Sequence, residues 1–432
     1  MQILSREPDP VALENLSEFA PLLRRIYASR GVHSAAEASL KLQGLLAPAQ
    51  LPDIDIAAQR LADAIEQGEK ILIVGDFDAD GATSVALCIL VLRAFGASDP
   101  EFIVPNRFEF GYGLSPEIVD LAAKRRPQVI VTVDNGVSSI EGVQRARDLG
   151  IDVIVTDHHL PGQERPQALA IVNPNLPEAN FGSRAMAGVG VAYYVLSRLR
   201  AALRDRRWFV RQGMTEPNLA QYLDLVALGT VADVVPLDSN NRILVQQGIA
   251  RMRAGQCLPG IVALAEIAKR PLAKLTAQDL GFALGPRLNA AGRLEDMTIG
   301  IQCLLSPSVR EARSLATALD QLNKTRRQLE QEMVGDAELL LAEHLAQQDR
   351  IGLTVYHESF HQGVVGIVAG RVREKFNKPV IAFADASDSS PDELKGSARS
   401  IDGLHIRDVL DRIASLHPGL LIKFGGHAMA AG

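Results

Sequence analysis

The sequence predicts an α/β protein in which a parallel-sheet domain is joined by a long helix to a smaller α/β domain. Three observations carry this. Short β-branched runs, "ILIVGD" (71–76), "VIVTVD" (129–134) and "DVIVTD" (152–157), each close on an acid and are separated by helix-length segments, the pattern of parallel strands with crossover helices. Residues 306–345 keep helical periodicity without interruption. Beyond them, "IGLTVYHESF", "PVIAFADA" and "DELKGSARSIDG" read as strands and turns of a second sheet.

Each element follows from its residues. Ligands of open parallel sheets bind beyond the carboxyl ends of the strands, so Asp76, Asp134 and Asp157 fall along one edge and become one site. In "LDLVALGTVADVVPLD" (223–238), Asp233 interrupts a stretch that would otherwise be buried; it is either a helix-end cap or a fourth acid of that site. Ser308 and Glu311 fit a capping box at the start of the long helix, and Leu315, Leu319, Leu322, Leu329 and Met333 keep roughly heptad spacing along it. Its charged face, with Arg326 and Arg327, reads as solvated. The expected divisions are an N-terminal extension (1–45), a catalytic domain (46–255), a helical connector (256–345) and a second domain (346–432).

Composition narrows the function. The chain has 432 residues, 47% of them hydrophobic, enough for two cores. Charges and a proline in the N-terminal residues exclude a signal peptide, and no stretch approaches a membrane span, so the expectation is a cytoplasmic protein. Cys88, Cys257 and Cys303 lack CxxC spacing, which argues against a disulfide framework and a thiolate zinc site. A net charge of −6 shows no basic stripe for nucleic acid. An anionic polymer would have to be held locally, by placed cations or metals.

The chemistry concentrates in three places. "GDFDADG" sets Asp76, Asp78 and Asp80 in alternation, with Gly81 read as allowing a tight turn. Three carboxylates this close repel unless cations sit among them. A calcium loop fails for want of a glutamate at its twelfth position, and a phosphoacceptor pocket does not call for a histidine pair. In "VDNGVSS", Asn-Gly also fits a type I′ turn, but the neighbouring strand-end acids favour metal ligation by Asp134. "TDHHLPG" adds His158 and His159 beside Asp157. Imidazole with carboxylates and no thiolate suits Mn²⁺, or Mg²⁺ in a more oxygen-rich site. The donor set exceeds one ion and fits two divalent cations that activate water against a phosphoryl group.

Taken together, "GDFDADG", "VDNG", "TDHHLPG" and "GTVADVVPL" resemble the DHH phosphoesterase superfamily, and "NRFEFGYGLS", "GPRLNAAGRL", "GIVAGRV", "GSARS" and "FGGH" resemble its RecJ branch. The resemblance runs in order over nearly the whole chain. It implies a DHH catalytic domain, a DHHA1-type nucleic-acid-binding domain, and a 5′-to-3′ exonuclease acting on single-stranded DNA with two divalent cations, Mn²⁺ preferred or Mg²⁺. It assigns Asp78 and Asp80 to separate metals, Asp134 as their bridge, His158 and Asp233 as further ligands, and Asp76 as a ligand or outer partner. His159 would contact the scissile phosphate and Asp157 would orient a histidine. Arg107, Arg287, Arg293, Ser397, Arg399 and His427 would hold the strand, with Arg107, Ser397 and Arg399 forming a 5′-phosphate pocket. A single-strand-binding protein and a helicase are the implied partners. The ending "FGGHAMAAG" reads as a truncation, since this branch continues through the second domain into an oligonucleotide-binding barrel. Superfamily pyrophosphatases and small-oligonucleotide phosphodiesterases are disfavoured by the arginine motifs, and non-catalytic replication scaffolds by the intact acids.

Overall fold

The computed structural model describes residues 5–106, 112–345, 351–387 and 390–432. They form two compact units, Met1–Ala291 with Asp296–Asp320, and Gly292–Glu295 with Gln321–Gly432.

The first unit is built on five parallel strands: β1 (Ile71–Val74), β2 (Glu101–Ile103), β3 (Val129–Val133), β4 (Asp152–Thr156) and β5 (Ala170–Val172), in the order β2-β1-β3-β4-β5. All residues of β1 and β3 are buried, as expected where helices cover both faces of a parallel sheet. Alternation divides the side chains between those faces. Leu72, Val74, Ile130, Val153 and Val155 pack with Ile118, Val119, Val143 and Ala146 of helices Pro116–Ala123 and Ile140–Asp148. On the opposite face, Ile73, Val131 and Thr156 meet Leu61, Cys88, Leu92, Ala192 and Leu196 of helices Ile54–Gln67, Ala79–Ala94 and Gly188–Asp205. The two short strands β2 and β5 lack the long β-branched runs that announce the other three. The cysteines are free, and burial pushes each thiol up to about 12.

Register gathers the acids. Val74 pairs with Thr132, and Val133 with Thr156, so β1, β3 and β4 end level and Asp134 and Asp157 emerge side by side. The Asp134 N–H still donates to Thr156 O at 3.0 Å. The hydrophobic segment around Asp233 is the helix Leu223–Ala232, with Asp233 at its C-cap.

The long helix is Val309–Leu345, running covalently from the first unit into the second. Ser308 receives the Glu311 N–H at 3.3 Å and donates its hydroxyl to the Glu311 carboxylate. Its buried positions are Ala312, Ala316, Leu319 and Asn323, then Met333, Ala337 and Leu341. Leu315, Leu322 and Leu329 are only half-buried, because the seam of alternating four- and three-residue spacing runs through Ala312, Ala316, Leu319 and Asn323. Arg326 is not solvated: it pairs with Glu330 at 2.5 Å and donates to Asn323, whereas Arg327 is exposed.

In the second unit, β6 (Leu353–Tyr356) lies parallel to β7 (Val380–Ser387), which pairs antiparallel with β8 (Ser390–Arg399), followed by β9 (Ala430–Ala431). Helix Val365–Phe376 packs Val365, Val368 and Val372 into the core with Val355, Val380 and Ala382.

Candidate metal centre

Asp78 is the N-cap of helix Ala79–Ala94, its carboxylate accepting the Gly81 N–H at 2.9 Å. Gly81 therefore sits in the first helical turn. Its lack of a side chain serves packing, since a Cβ there would come within 2.5 Å of Asp76 O. Asp80 faces the interior and accepts the N–H groups of Gly188 and Val189 at 2.6 and 2.9 Å. It thereby supplies the N-terminal cap that helix Gly188–Asp205 lacks at its own Ala187. The Ala79 N–H is taken by Asn289 Oδ1 at 2.7 Å.

Asp134 has φ +62°, a left-handed conformation costing most L-residues roughly 1–2 kcal/mol, with Asp among those that tolerate it best. The type I′ turn is not formed: Asn135 has negative φ, and its amide donates to Val74 O and Val133 O, tying β1 to β3. Two further glycines make room for the acids. A Cβ on Gly188 would lie 2.7 Å from Asp134 Cβ, and one on Gly229 would lie 2.2 Å from Thr83 Oγ1 and 2.9 Å from Asp80 Oδ1.

Three groupings place ligand atoms within 4.8 Å of one another: Asp76, Asp78 and Asp134; Asp80, His158 and Asp233; and Asp134, His158 and His159. Asp134 belongs to the first and touches the second, because His158 Nε2 lies 3.1 Å from Asp134 Oδ1 and 3.6 Å from Asp233 Oδ2. These three atoms are buried and make no hydrogen bond of acceptable geometry. Ligand atoms bound at about 2.1 Å around one ion stand about 3.0–3.4 Å apart, so the donor set fits a divalent cation. The crowding raises the carboxyl pKa values. Burial and then Asp78 raise Asp80 to about 7, and burial with Asp80 and Asp78 raises Asp233 to about 9. Asp134 is pushed well up by burial and four neighbouring carboxylates. Burial, then the charge of His159, lowers His158 to about 4, leaving a neutral imidazole of the kind metals bind.

The second histidine is held differently. Asp157 accepts the N–H groups of His158 (2.7 Å), His159 (3.1 Å) and Val137 (2.9 Å), and its Oδ1 lies 2.8 Å from His159 Nδ1. Burial works to lower the His159 pKa, but this bond and the charges of Asp157 and Asp76 outweigh it and hold it at about 9. Asn173 donates to His159 O and Asn175 to His158 O. Tyr112 closes the corner with its hydroxyl 3.1 Å from both Asp134 O and His159 Nδ1. Sequence reading missed Tyr112, Asn173, Asn175, Asn289, Gly188 and Gly229. Two signals lay within reach: "NPN" close after "DHH", and the tyrosine of "GYG".

A family model of the DHH family N-terminal domain matches residues 70–230, and one of the DHHA1 domain matches residues 349–432. The single-stranded-DNA-specific exonuclease RecJ of Escherichia coli is 57% identical over all of this chain and 74% of its own length. The chain belongs to the RecJ family. A crystal structure of exonuclease RecJ bound to manganese matches with TM-score 0.73 and 34% identity, covering 89% of this chain and 91% of that one. RecJ of Thermus thermophilus in complex with Mg²⁺ matches with TM-score 0.73 and 29% identity over 99% of this chain and 56% of that one. The acids and histidines expected from the family motifs are thus brought together at one sheet edge.

The expected strand-binding residues fare unevenly. Arg287 places Nε and Nη2 on Asp320 Oδ1, at 2.9 and 2.7 Å, and donates from Nη1 to Ala283 O. This is a salt bridge within the first unit. Arg293 donates to Gly363 O at 3.2 Å. Ser397 and Arg399, two apart on β8 and so on one face, are joined by a 3.1 Å hydrogen bond. A Cβ on Gly366, near the N-terminus of helix Val365–Phe376, would come within 3.0 Å of both side chains. Burial and the charge of Arg373 hold the Arg399 guanidinium below its usual pKa, and among the described residues no carboxylate pairs with it. His427 is exposed in the turn of a hairpin, its N–H donating to Ala430 O while Gly425 and Gly432 pair. Arg107 lies outside the described residues.

Proposed function

We propose that this chain hydrolyses single-stranded DNA from its 5′ end to mononucleotides, using two divalent cations, Mn²⁺ or Mg²⁺. The observation that carries the reading is the pair of acid groupings joined by Asp134, with its Oδ1, His158 Nε2 and Asp233 Oδ2 buried and unpaired. When bound, the cations supply an activated water and neutralise charge on the phosphate. Asp76 and Asp78 would hold one, and Asp80, His158 and Asp233 the other, with Asp134 placed to serve both. Asp157 orients His159, which presents its remaining ring nitrogen to the scissile phosphate. In the second unit, Arg399, Ser397 and the backbone at Gly366 cradle a phosphate of the strand, and "GGH" lies open to approach. Residues 46–255 take the catalytic role and 346–432 the strand-holding one. By the same family reading the reaction is cytoplasmic, with a helicase to supply the strand and a single-strand-binding protein to hold it open. Among the described residues no helix is long and apolar enough to cross a membrane.

The test follows 5′-labelled and 3′-labelled single strands beside a matched blunt duplex, under Mn²⁺, Mg²⁺ and chelator. Immediate release of labelled mononucleotide from 5′-labelled single strands, only with metal, is expected. Attack from the 3′ end, equal cleavage of duplex, or release in chelator would each overturn it.

A further inference from the structure

We propose that Tyr112 is a positioning residue for hydrolysis that fixes the ring of His159; this rests on the reading of His159 as the group facing the scissile phosphate. The Tyr112 hydroxyl donates to the carbonyl oxygen of Asp134 at 3.1 Å, so its own proton is committed. Toward His159 Nδ1, also 3.1 Å away, the phenolic oxygen is left with lone pairs only. The other neighbour of Nδ1 is the Asp157 carboxylate at 2.8 Å, again an acceptor. Nδ1 therefore faces two acceptors and carries a proton in either charge state of the ring. That leaves Nε2 for the substrate.

Ring packing supports the same role. Tyr112 stands edge-on to His159, with centroids 5.7 Å apart, and edge-on to Phe77 at 6.2 Å. Without Tyr112 the ring would keep its hydrogen bond to Asp157 and its packing on His158, but would lose the edge-on contact and polar partner that limit its swing about Cβ–Cγ. The second contact comes from the chain of the bridging residue, because the hydroxyl rests on the main-chain carbonyl of Asp134, not on its carboxylate. Tyr112 so ties the orientation of His159 to the backbone that places the shared acid. It is 51% exposed, so deleting the hydroxyl leaves the core untouched.

The experiment compares Tyr112→Phe, His159→Ala and the double variant in single-turnover cleavage of a 5′-labelled single strand, with Mn²⁺ affinity by calorimetry. Tyr112→Phe should slow cleavage about tenfold, the effect of one hydrogen bond to a charged group, with strand half-saturation and Mn²⁺ affinity within about twofold of the parent. In the His159→Ala background it should cost nothing further. An unchanged rate in Tyr112→Phe beside a slow His159→Ala would overturn the inference alone. A full additional loss in the double variant, or weakened Mn²⁺ binding, would overturn it by placing Tyr112 on the metals. Parent-like cleavage by His159→Ala would overturn the reading of that histidine and the inference with it.

Discussion

At the carboxyl edge of the first sheet, six carboxylates, of Asp76, Asp78, Asp80, Asp134, Asp157 and Asp233, converge with two histidines. On β8 of the second sheet the situation is inverted: Arg399 is half-buried beside Ser397 and a glycine, with Arg373 as its charged neighbour and no carboxylate paired with it among the described residues. Each region is unfavourable alone. Like charges in a low dielectric are tolerated in folded proteins where a counterion repays them. The first region thus specifies cations and the second an anion. On the reading proposed above, metal-bound chemistry and phosphate capture would reside in separately built cores.

The strongest way to break this contrast is to remove the shared acid. Asp134→Ala should lower cleavage by at least about a thousandfold, since both cations lose a ligand. Melting of the chelated protein should change little, because relief of the carboxylate crowding offsets the cost of alanine at a φ of +62°. Turnover within tenfold of the parent, in a protein of native circular dichroism, would remove Asp134 from the mechanism.

Next in size is the response to pH with and without metal. Folding raises Asp80 to about 7, Asp233 to about 9 and His159 to about 9, from ordinary values of 3.8, 3.8 and 6.5. Between about pH 6.5 and 9 the folded state therefore holds more protons than the unfolded one, and stability falls as pH rises. His158, lowered to about 4, opposes the trend only near pH 6.5, where its unfolded form still binds about half a proton, and by less than the three raised groups together. In chelator the melting temperature should drop steadily from pH 6.5 to 9. The gain on adding Mn²⁺ should grow over the same range, because binding must displace fewer protons. A gain independent of pH would mean that these carboxylates are not the ligands.

Arg399→Ala sharpens the other side. It should weaken single-strand binding about tenfold, with the bound-state rate nearly unchanged. The slope of log affinity against log salt should shrink by about 0.7, one phosphate contact. An intact slope with a reduced rate would reassign Arg399 to the chemistry.

The two regions were not equally legible in the sequence. The acids were readable because parallel strands must end at one edge, so "ILIVGD", "VIVTVD" and "DVIVTD" carry both the fold and the site. What makes that edge workable was not. Gly188 and Gly229 leave room for Asp134 and Asp80, and Asn289 reaches Ala79 from 210 positions away. Such roles arise only from tertiary approach, and a glycine in a helical pattern looks the same whatever it faces. The long helix was visible as a helix but its buried stripe only in part: Leu319 and Met333 are buried as expected, whereas Ala312, Ala316 and Ala337 take the places expected of Leu315, Leu322 and Leu329.

The smallest effect on strand binding tests the hardest distinction, that between two arginines alike in sequence. "GPRLNAAGRL" and "GSARS" both set arginine among small residues, and nothing local separates them. The difference lies at Asp320, 33 residues from Arg287, which takes Nε and Nη2 of that guanidinium with both side chains 14% exposed. Removing one partner of such a pair strands the other. Arg287→Ala should thus destabilise the first unit by about 3 kcal/mol, and the double variant with Asp320→Ala should recover part of the loss. At a temperature where both remain folded, strand affinity and its salt slope should match the parent. A reduced slope in Arg287→Ala would show that the guanidinium leaves Asp320 for phosphate. The carboxylate would then be a competitor that the strand displaces, and the contrast between the two arginines would be one of affinity, not of role.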